Sequence, residues 1–242
     1  MVFKRWSLFI SISFLVLGLF VTEVSAEDEA SEKPAPTVKR KGGKLVQAPK
    51  PNQEKFTAGE HYIVLERPVP TRDSNKIEVV EMFSYGCPHC YEFDAPVKEW
   101  SKQQSGDVDF WVFPAAWNKP MGLYAQAFYT AEELNVAEKI HQPLFATIVI
   151  QQKSIRNESD LADFFAQHGV DKKTFTEVFN STAVKTRTRH AEERVRLYKP
   201  VGVPEIIVNG KYRVDRMRAG GLTEMLAVAD FLVNKERAVL KK

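Results

Sequence analysis

Cys87 and Cys90 are the only cysteines in a chain of 242 residues, and just two positions separate them. A structural staple at that spacing closes so small a loop that it removes little entropy from the unfolded chain. A zinc knuckle needs about four ligands, and His61, His89, His141, His168 and His190 include no closely spaced pair to complete one. Only a dimer pooling four thiolates would supply the set. Attachment of haem would require His after Cys90, where Tyr91 stands. A redox pair lacks nothing. Residues three apart on a helix share one face, with Cβ atoms about 5 to 6 Å apart, so a small adjustment permits a reversible disulfide.

The spacing therefore predicts a helix that begins at the motif, Cys87-Pro88-His89-Cys90. Cys87 would sit at its N-terminus, where unpaired N–H groups and the helix dipole favour a thiolate. Pro88 suits the first turn because the N–H it lacks would have no helical partner there. His89 adds positive charge beside the sulfur when protonated. Each pH unit by which the Cys87 pKa falls stabilises the dithiol by about 1.4 kcal/mol and raises the reduction potential by about 30 mV.

The surrounding pattern is that of a layered α/β fold. Residues 76–83 (KIEVVEMF) have the β-branched content and length of a strand buried on both faces. Tyr91, Phe93, Val97 and Trp100 then recur at helical spacing, and residues 108–113 (VDFWVF) read as a second strand ending at Pro114. Helical signals dominate from 119 to 187. Leu123, Ala127, Phe128, Ala131 and Leu134 share one face, and Asn157-Glu158-Ser159-Asp160 forms a capping cluster. A long helix leads to Tyr198. Residues 205–208 and 211–214 flank Asn209-Gly210, the dipeptide favoured in type I′ hairpin turns. A helix from Leu222 to Leu232 closes the chain. The organisation expected is an α/β domain in two pieces, 56–118 and 188–242, with an inserted helical subdomain at 119–187.

Residues 1–26 have a basic start (Lys4, Arg5), an apolar stretch from Trp6 to Val21 and a small-residue end, Val24-Ser25-Ala26. That is the pattern of a cleavable export signal. The alternative, an uncleaved anchor, is disfavoured by length, since a span wants about 20 apolar residues. Residues 27–55 contain Pro34, Pro36, Pro49 and Pro51, the Gly42-Gly43 pair, mixed charge and no aromatic residue. They read as a disordered tether that buries too little apolar surface to order itself. Its cluster Lys39-Arg40-Lys41 reads as a solvated linker, with contact to anionic lipid as the alternative. The rest, 56–242, balances 25 basic against 25 acidic residues. Such a part has no field to gather polyphosphates, which argues against nucleic acid as a partner. No Gly-rich phosphate loop is present either, so neither an organic cofactor nor a metal is expected.

Residues 83–91 (FSYGCPHCY) resemble the active-site segment of the bacterial DsbA family of periplasmic disulfide oxidases. The likeness runs over roughly 58–235 and includes Tyr62, Leu65, Pro68, Pro143-Leu144-Phe145, Ile155-Arg156, and Gly202-Val203-Pro204 through Tyr212. It implies a thioredoxin-like fold with a helical insert, and an acidic, strongly oxidising cysteine, a property of the family and not of spacing. It makes Cys87 the exposed nucleophile and Cys90 its buried resolving partner. Pro204 becomes the cis-proline beside the disulfide, although trans is the ordinary form of an X-Pro bond. Val203 then offers backbone to an extended substrate. Glu81 becomes the buried acid under the disulfide, a proton carrier for Cys90, or alternatively a structural acid paired with a nearby Lys or Arg. The implied partners are reduced exported proteins and a quinone-linked membrane oxidase of the DsbB type, and the implied compartment is the periplasm. A monomer is expected, with dimerisation through the N-terminal extension as the alternative. Two competing functions stay open: an isomerase or reductase on the same fold, and a peptide-binding, chaperone-like module that carries a disulfide.

Overall fold

The computed structural model describes residues 54–240. The export signal expected at 1–26 and nearly all of the tether expected at 27–55 lie outside the described residues. In chain order the elements are β1 (Ile63–Val64), β2 (Ile77–Phe83), α1 (Pro88–Lys102), β3 (Val108–Pro114), α2 (Lys119–Glu133) and α3 (Ala137–Phe145). A π-helical turn (Ala146–Ile150) follows, then α4 (Glu158–Gln167), α5 (Lys172–Phe179), α6 (Thr182–Tyr198), β4 (Glu205–Val208), β5 (Tyr212–Asp215), α7 (Arg216–Ala219) and α8 (Leu222–Leu240).

The strands make one mixed sheet in the order β1-β5-β4-β2-β3, with β2 and β3 parallel and the other pairings antiparallel. All seven residues of β2 are buried, which is why that segment lacks an alternating polar face. Ile77, Val79, Ile206 and Val208 pack with Phe93, Val97 and Trp100 of α1 and with Met225, Val228, Ala229 and Leu232 of α8. Val80, Met82 and Ile207 pack into the second core, with Phe128, Ile140, Leu144, Phe165 and Phe175 of the helical segment. The sheet thus separates two cores, and Glu81, in step with Val79, follows the α1 side.

The capping cluster at 157–160 and the Asn209-Gly210 turn act where they were expected, and Asn118 supplies a cap that the sequence reading did not name. Asn118 caps α2 by accepting from the Met121 N–H at 3.0 Å, and Asn157 caps α4 by accepting from the Asp160 N–H at 3.0 Å. The β4-β5 turn has positive φ at both Asn209 (50°) and Gly210 (59°), and Lys211 N–H donates to the Val208 carbonyl at 3.0 Å. Glycine is required at 210 for a second reason. A Cβ there would lie 1.9 Å from the Val69 carbonyl oxygen, because the Val69 N–H reaches in to bond the Gly210 carbonyl at 2.8 Å.

Besides the π-helical turn and the short helix α7, neither of which was read from the sequence, three features differ from that reading. The approach around Tyr62 and Leu65 holds a short strand, β1, paired antiparallel with β5. The closing helix runs to Leu240 rather than Leu232. Its extra turns are held by Glu236, a buried carboxylate that accepts from Asn209 Nδ2 (2.6 Å), Lys211 Nζ (2.6 Å) and Tyr212 Oη (2.9 Å) of the hairpin. The line drawn at 187/188 between helical insert and sheet falls inside α6, a single continuous helix.

Candidate active site

The turn Ser84-Tyr85-Gly86 carries the chain from the end of β2 into α1, and Cys87 is the N-cap of that helix, with extended backbone (φ −105°, ψ 113°). Its Sγ accepts from the Cys90 N–H at 3.3 Å, as an N-cap oxygen would. Pro88 occupies the first turn. Cys87 is partly exposed and Cys90 is fully buried; both are free thiols. One cysteine is thus accessible to attack and the other is reached only through it.

The Cys87 thiol is pulled down to about 7, first by a hydrogen bond with the Cys90 side chain. Burial opposes this, while the N–H groups of Cys90 and His89 and the charge of His89 act with it. The charge of His89 contributes least. Its side chain is 47% exposed and turned to Glu92, with Nδ1 3.2 Å from Oε2. Cys90 is pushed far up, first by burial and then by its bond with Cys87 and that neighbour's charge. The asymmetry separates an acidic outer sulfur from an inner one that resists ionisation.

The Val203-Pro204 peptide bond is cis, and it brings the Val203 carbonyl to 3.3 Å from Cys87, whose Sγ–H donates to it. The loop is held by a residue that sequence reasoning missed. Glu205, wholly buried at the start of β4, accepts from the N–H groups of Val201 (2.7 Å) and Gly202 (3.1 Å) and pairs with Arg213 Nε at 3.3 Å. Burial lifts its carboxyl to about 7 against the pull of those N–H groups and of Arg213. Its only sequence signal was an acid at a strand position otherwise filled by Ile206, Ile207 and Val208.

Glu81 is buried in β2, opposite Val112 of β3 and Ile206 of β4. Burial first, then the charges of Asp94 and Cys87, raise its carboxyl to about 8, while Lys98 acts in the other direction. Lys98 itself is paired with Asp94 at 2.8 Å. The structure therefore brings Cys87, Cys90, Pro88, His89, Glu81, Val203 and Pro204 into one region. Among the described residues no three His, Cys, Asp or Glu side chains assemble as a metal site.

Residues 112–230 match a family model described as a DSBA-like thioredoxin domain. The thiol:disulfide interchange protein DsbA of Pseudomonas aeruginosa is 42% identical over 187 residues, which is 77% of this chain and 89% of that protein. The DsbA of Azotobacter vinelandii is 38% identical over 74% of this chain and 84% of its own. The crystal structure of Pseudomonas aeruginosa DsbA superposes with a TM-score of 0.75 at 41% identity, over 78% of this chain and 99% of that one. The oxidoreductase DsbA of Xylella fastidiosa superposes with a TM-score of 0.70 at 35% identity, over 76% and 98%.

Proposed function

The chain belongs to the DsbA family of thiol:disulfide interchange proteins, and on that premise we propose that Cys87 and Cys90 are its redox pair, with Val203 and Pro204 as its substrate-binding edge. It is a thiol–disulfide oxidoreductase that donates disulfides. One observation carries the assignment of the site: the partly exposed Cys87 sulfur caps α1 beside the cis-Pro204 loop, with buried Cys90 behind it.

In the oxidised enzyme a client thiolate attacks the Cys87 sulfur, the Cys87–Cys90 bond breaks, and Cys90 leaves with the electron pair. Cys90 then needs a proton, because its buried thiol resists ionisation. Glu81, raised to about 8, is protonated at neutral pH and is the donor in this reading. A second client thiolate attacks the client sulfur of the mixed disulfide and expels Cys87, a good leaving group because its thiol is acidic. The client leaves oxidised by two electrons and the enzyme holds the dithiol. The Val203 carbonyl, bonded to Cys87 Sγ–H in the dithiol, becomes free to pair with client backbone when the thiol is consumed.

Exported proteins with reduced cysteines are the proposed clients, and the periplasm is the proposed compartment, reached through the export signal at 1–26. Reoxidation falls to a quinone-linked membrane partner of the DsbB type, and the enzyme works as a monomer. No helix of the described residues is long and apolar enough to cross a membrane. A reductase or isomerase is the competing reading, because a Cys87 pKa of about 7 lies where thioredoxin's attacking cysteine also titrates.

Trapping tests the site. Cys90→Ala should accumulate a mixed disulfide between Cys87 and a reduced client peptide, and Cys87→Ala should form none. Equal trapping by both variants would remove Cys87 from its role.

A further inference from the structure

His141 of α3 stands between the two flanks of the redox motif. Its Nδ1 lies 2.8 Å from the hydroxyl of Tyr85, two residues before Cys87, and its Nε2 lies 2.8 Å from Oδ1 of Asp94, four residues after Cys90. The two contacts are made on opposite edges of one ring, with the Tyr85 hydroxyl at Nδ1 and the Asp94 carboxylate accepting from Nε2–H. Burial keeps Tyr85 protonated. The ring sits among Phe83, Tyr85, Phe128 and Phe145, with centroids 5.1 to 6.3 Å away, and its side chain is 13% exposed. Asp94, 7% exposed, takes its other bonds from Lys98 Nζ at 2.8 Å and from Gln142.

We propose that His141 is a positioning residue of the redox centre: from the helical insert it clamps Tyr85 and Asp94, and through Asp94 it fixes the negative charge that faces Glu81. The inference rests on the reading of Cys87, Cys90 and Glu81 given above. It adds a residue that the spacing of the motif does not reveal.

The charges around each member are defined. Glu81 feels the charges of Asp94 and Lys98 of α1 and of Cys87 at its cap, and it acts in turn on Cys90, while its strand partners in β3 and β4 are the uncharged Val112 and Ile206. His141 faces Asp94 from α1, Tyr85 from the turn and Glu132 from α2. Burial opposes ionisation of Asp94, but the bonds from His141 and Lys98 outweigh it and hold the carboxyl below its ordinary range. A fixed anion at Asp94 disfavours a second one at Glu81. Glu81 then keeps its proton for Cys90 at neutral pH. Without His141, Asp94 stays ionised at pH 8, but the 2.8 Å bond that holds its Oδ1 in place is gone; the carboxylate is free to swing toward solvent, and its repulsion of a second anion at Glu81 weakens.

The test is the pH profile of the rate at which Cys90 displaces glutathione from a preformed Cys87–glutathione mixed disulfide. The parent should inflect near pH 8 and Glu81→Gln should lack that inflection. His141→Phe, which keeps a ring in the aromatic box, should move the inflection toward acid by at least half a pH unit. Asp94→Asn should move it the same way and covers the case in which His141→Phe does not fold. A purely structural clamp would lower stability and leave the inflection in place. If Glu81→Gln removes the inflection while both other variants superimpose on the parent, the proposal fails and the reading of Glu81 stands. If Glu81→Gln retains it, the reading of Glu81 fails and the proposal with it.

Discussion

At the scale of the residue, the two cysteines differ because a single helix terminus treats them differently. Cys87 caps α1 and gathers N–H groups, whereas Cys90 lies one turn in and is enclosed. The largest influence lowering Cys87 is its bond with the Cys90 side chain. Thiolate absorbance should therefore show Cys87 of the reduced enzyme titrating near 7, and Cys90→Ala should raise that value rather than leave it unchanged. Glu81 makes a second prediction. Its folded pKa, about 8, exceeds the ordinary 4.5, so the folded state binds the extra proton and stability falls as pH rises from 4.5 through 8. Urea titrations of the reduced protein should show that decline, and Glu81→Gln should make it shallower and end it near pH 7, where the contribution of Glu205 ends. The variant should be more stable than the parent above pH 8, by up to about 5 kcal/mol. The cysteines were legible because their chemistry is carried by a spacing of three. Asp94 and His141 were not, since 47 positions separate them, and each alone resembles an ordinary polar residue of a helix.

At the scale of the element, local rules explain most of what was read correctly. The type I′ turn follows from Asn209-Gly210, and the α4 cap follows from Asn157; Asn118 caps α2 by the same rule, though it was not read from the sequence. Gly210→Ala combines positive φ with a clash against the Val69 backbone, and should cost about 2 to 4 kcal/mol by urea denaturation. Ser181→Ala, which removes the α6 cap bond to the Val184 N–H, should cost about 1 kcal/mol. Of what was missed, the short helix α7 is capped locally by Asp215, but β1 and the end of α8 are made by distant partners. β1 exists because β5 is there to pair with it, two residues on each side. The last turns of α8 exist because Glu236 meets Asn209, Lys211 and Tyr212. Neither partner could be paired from periodicity, which reports a face and not what covers it.

At the scale of the whole molecule, the redox state and the stability of the fold are one quantity seen twice. The bonds from Cys90 and from the helix N–H groups to the Cys87 sulfur favour the dithiol. A disulfide between residues three apart contributes little by restraining the unfolded chain. The reduced protein should therefore unfold at a higher urea concentration than the oxidised one, and the excess should match the rise in reduction potential through the thermodynamic cycle. An oxidised form that proved the more stable would remove the basis for disulfide donation.

The central claim is that Cys87 and Cys90 form a pair poised to give its disulfide away, and the reduction potential tests it most directly. Equilibration of the purified protein with glutathione buffers, read by the fraction of dithiol, should place the couple well above the value of about −270 mV that marks thioredoxin. A potential at or below that value would contradict the account and leave a reductase on the same fold.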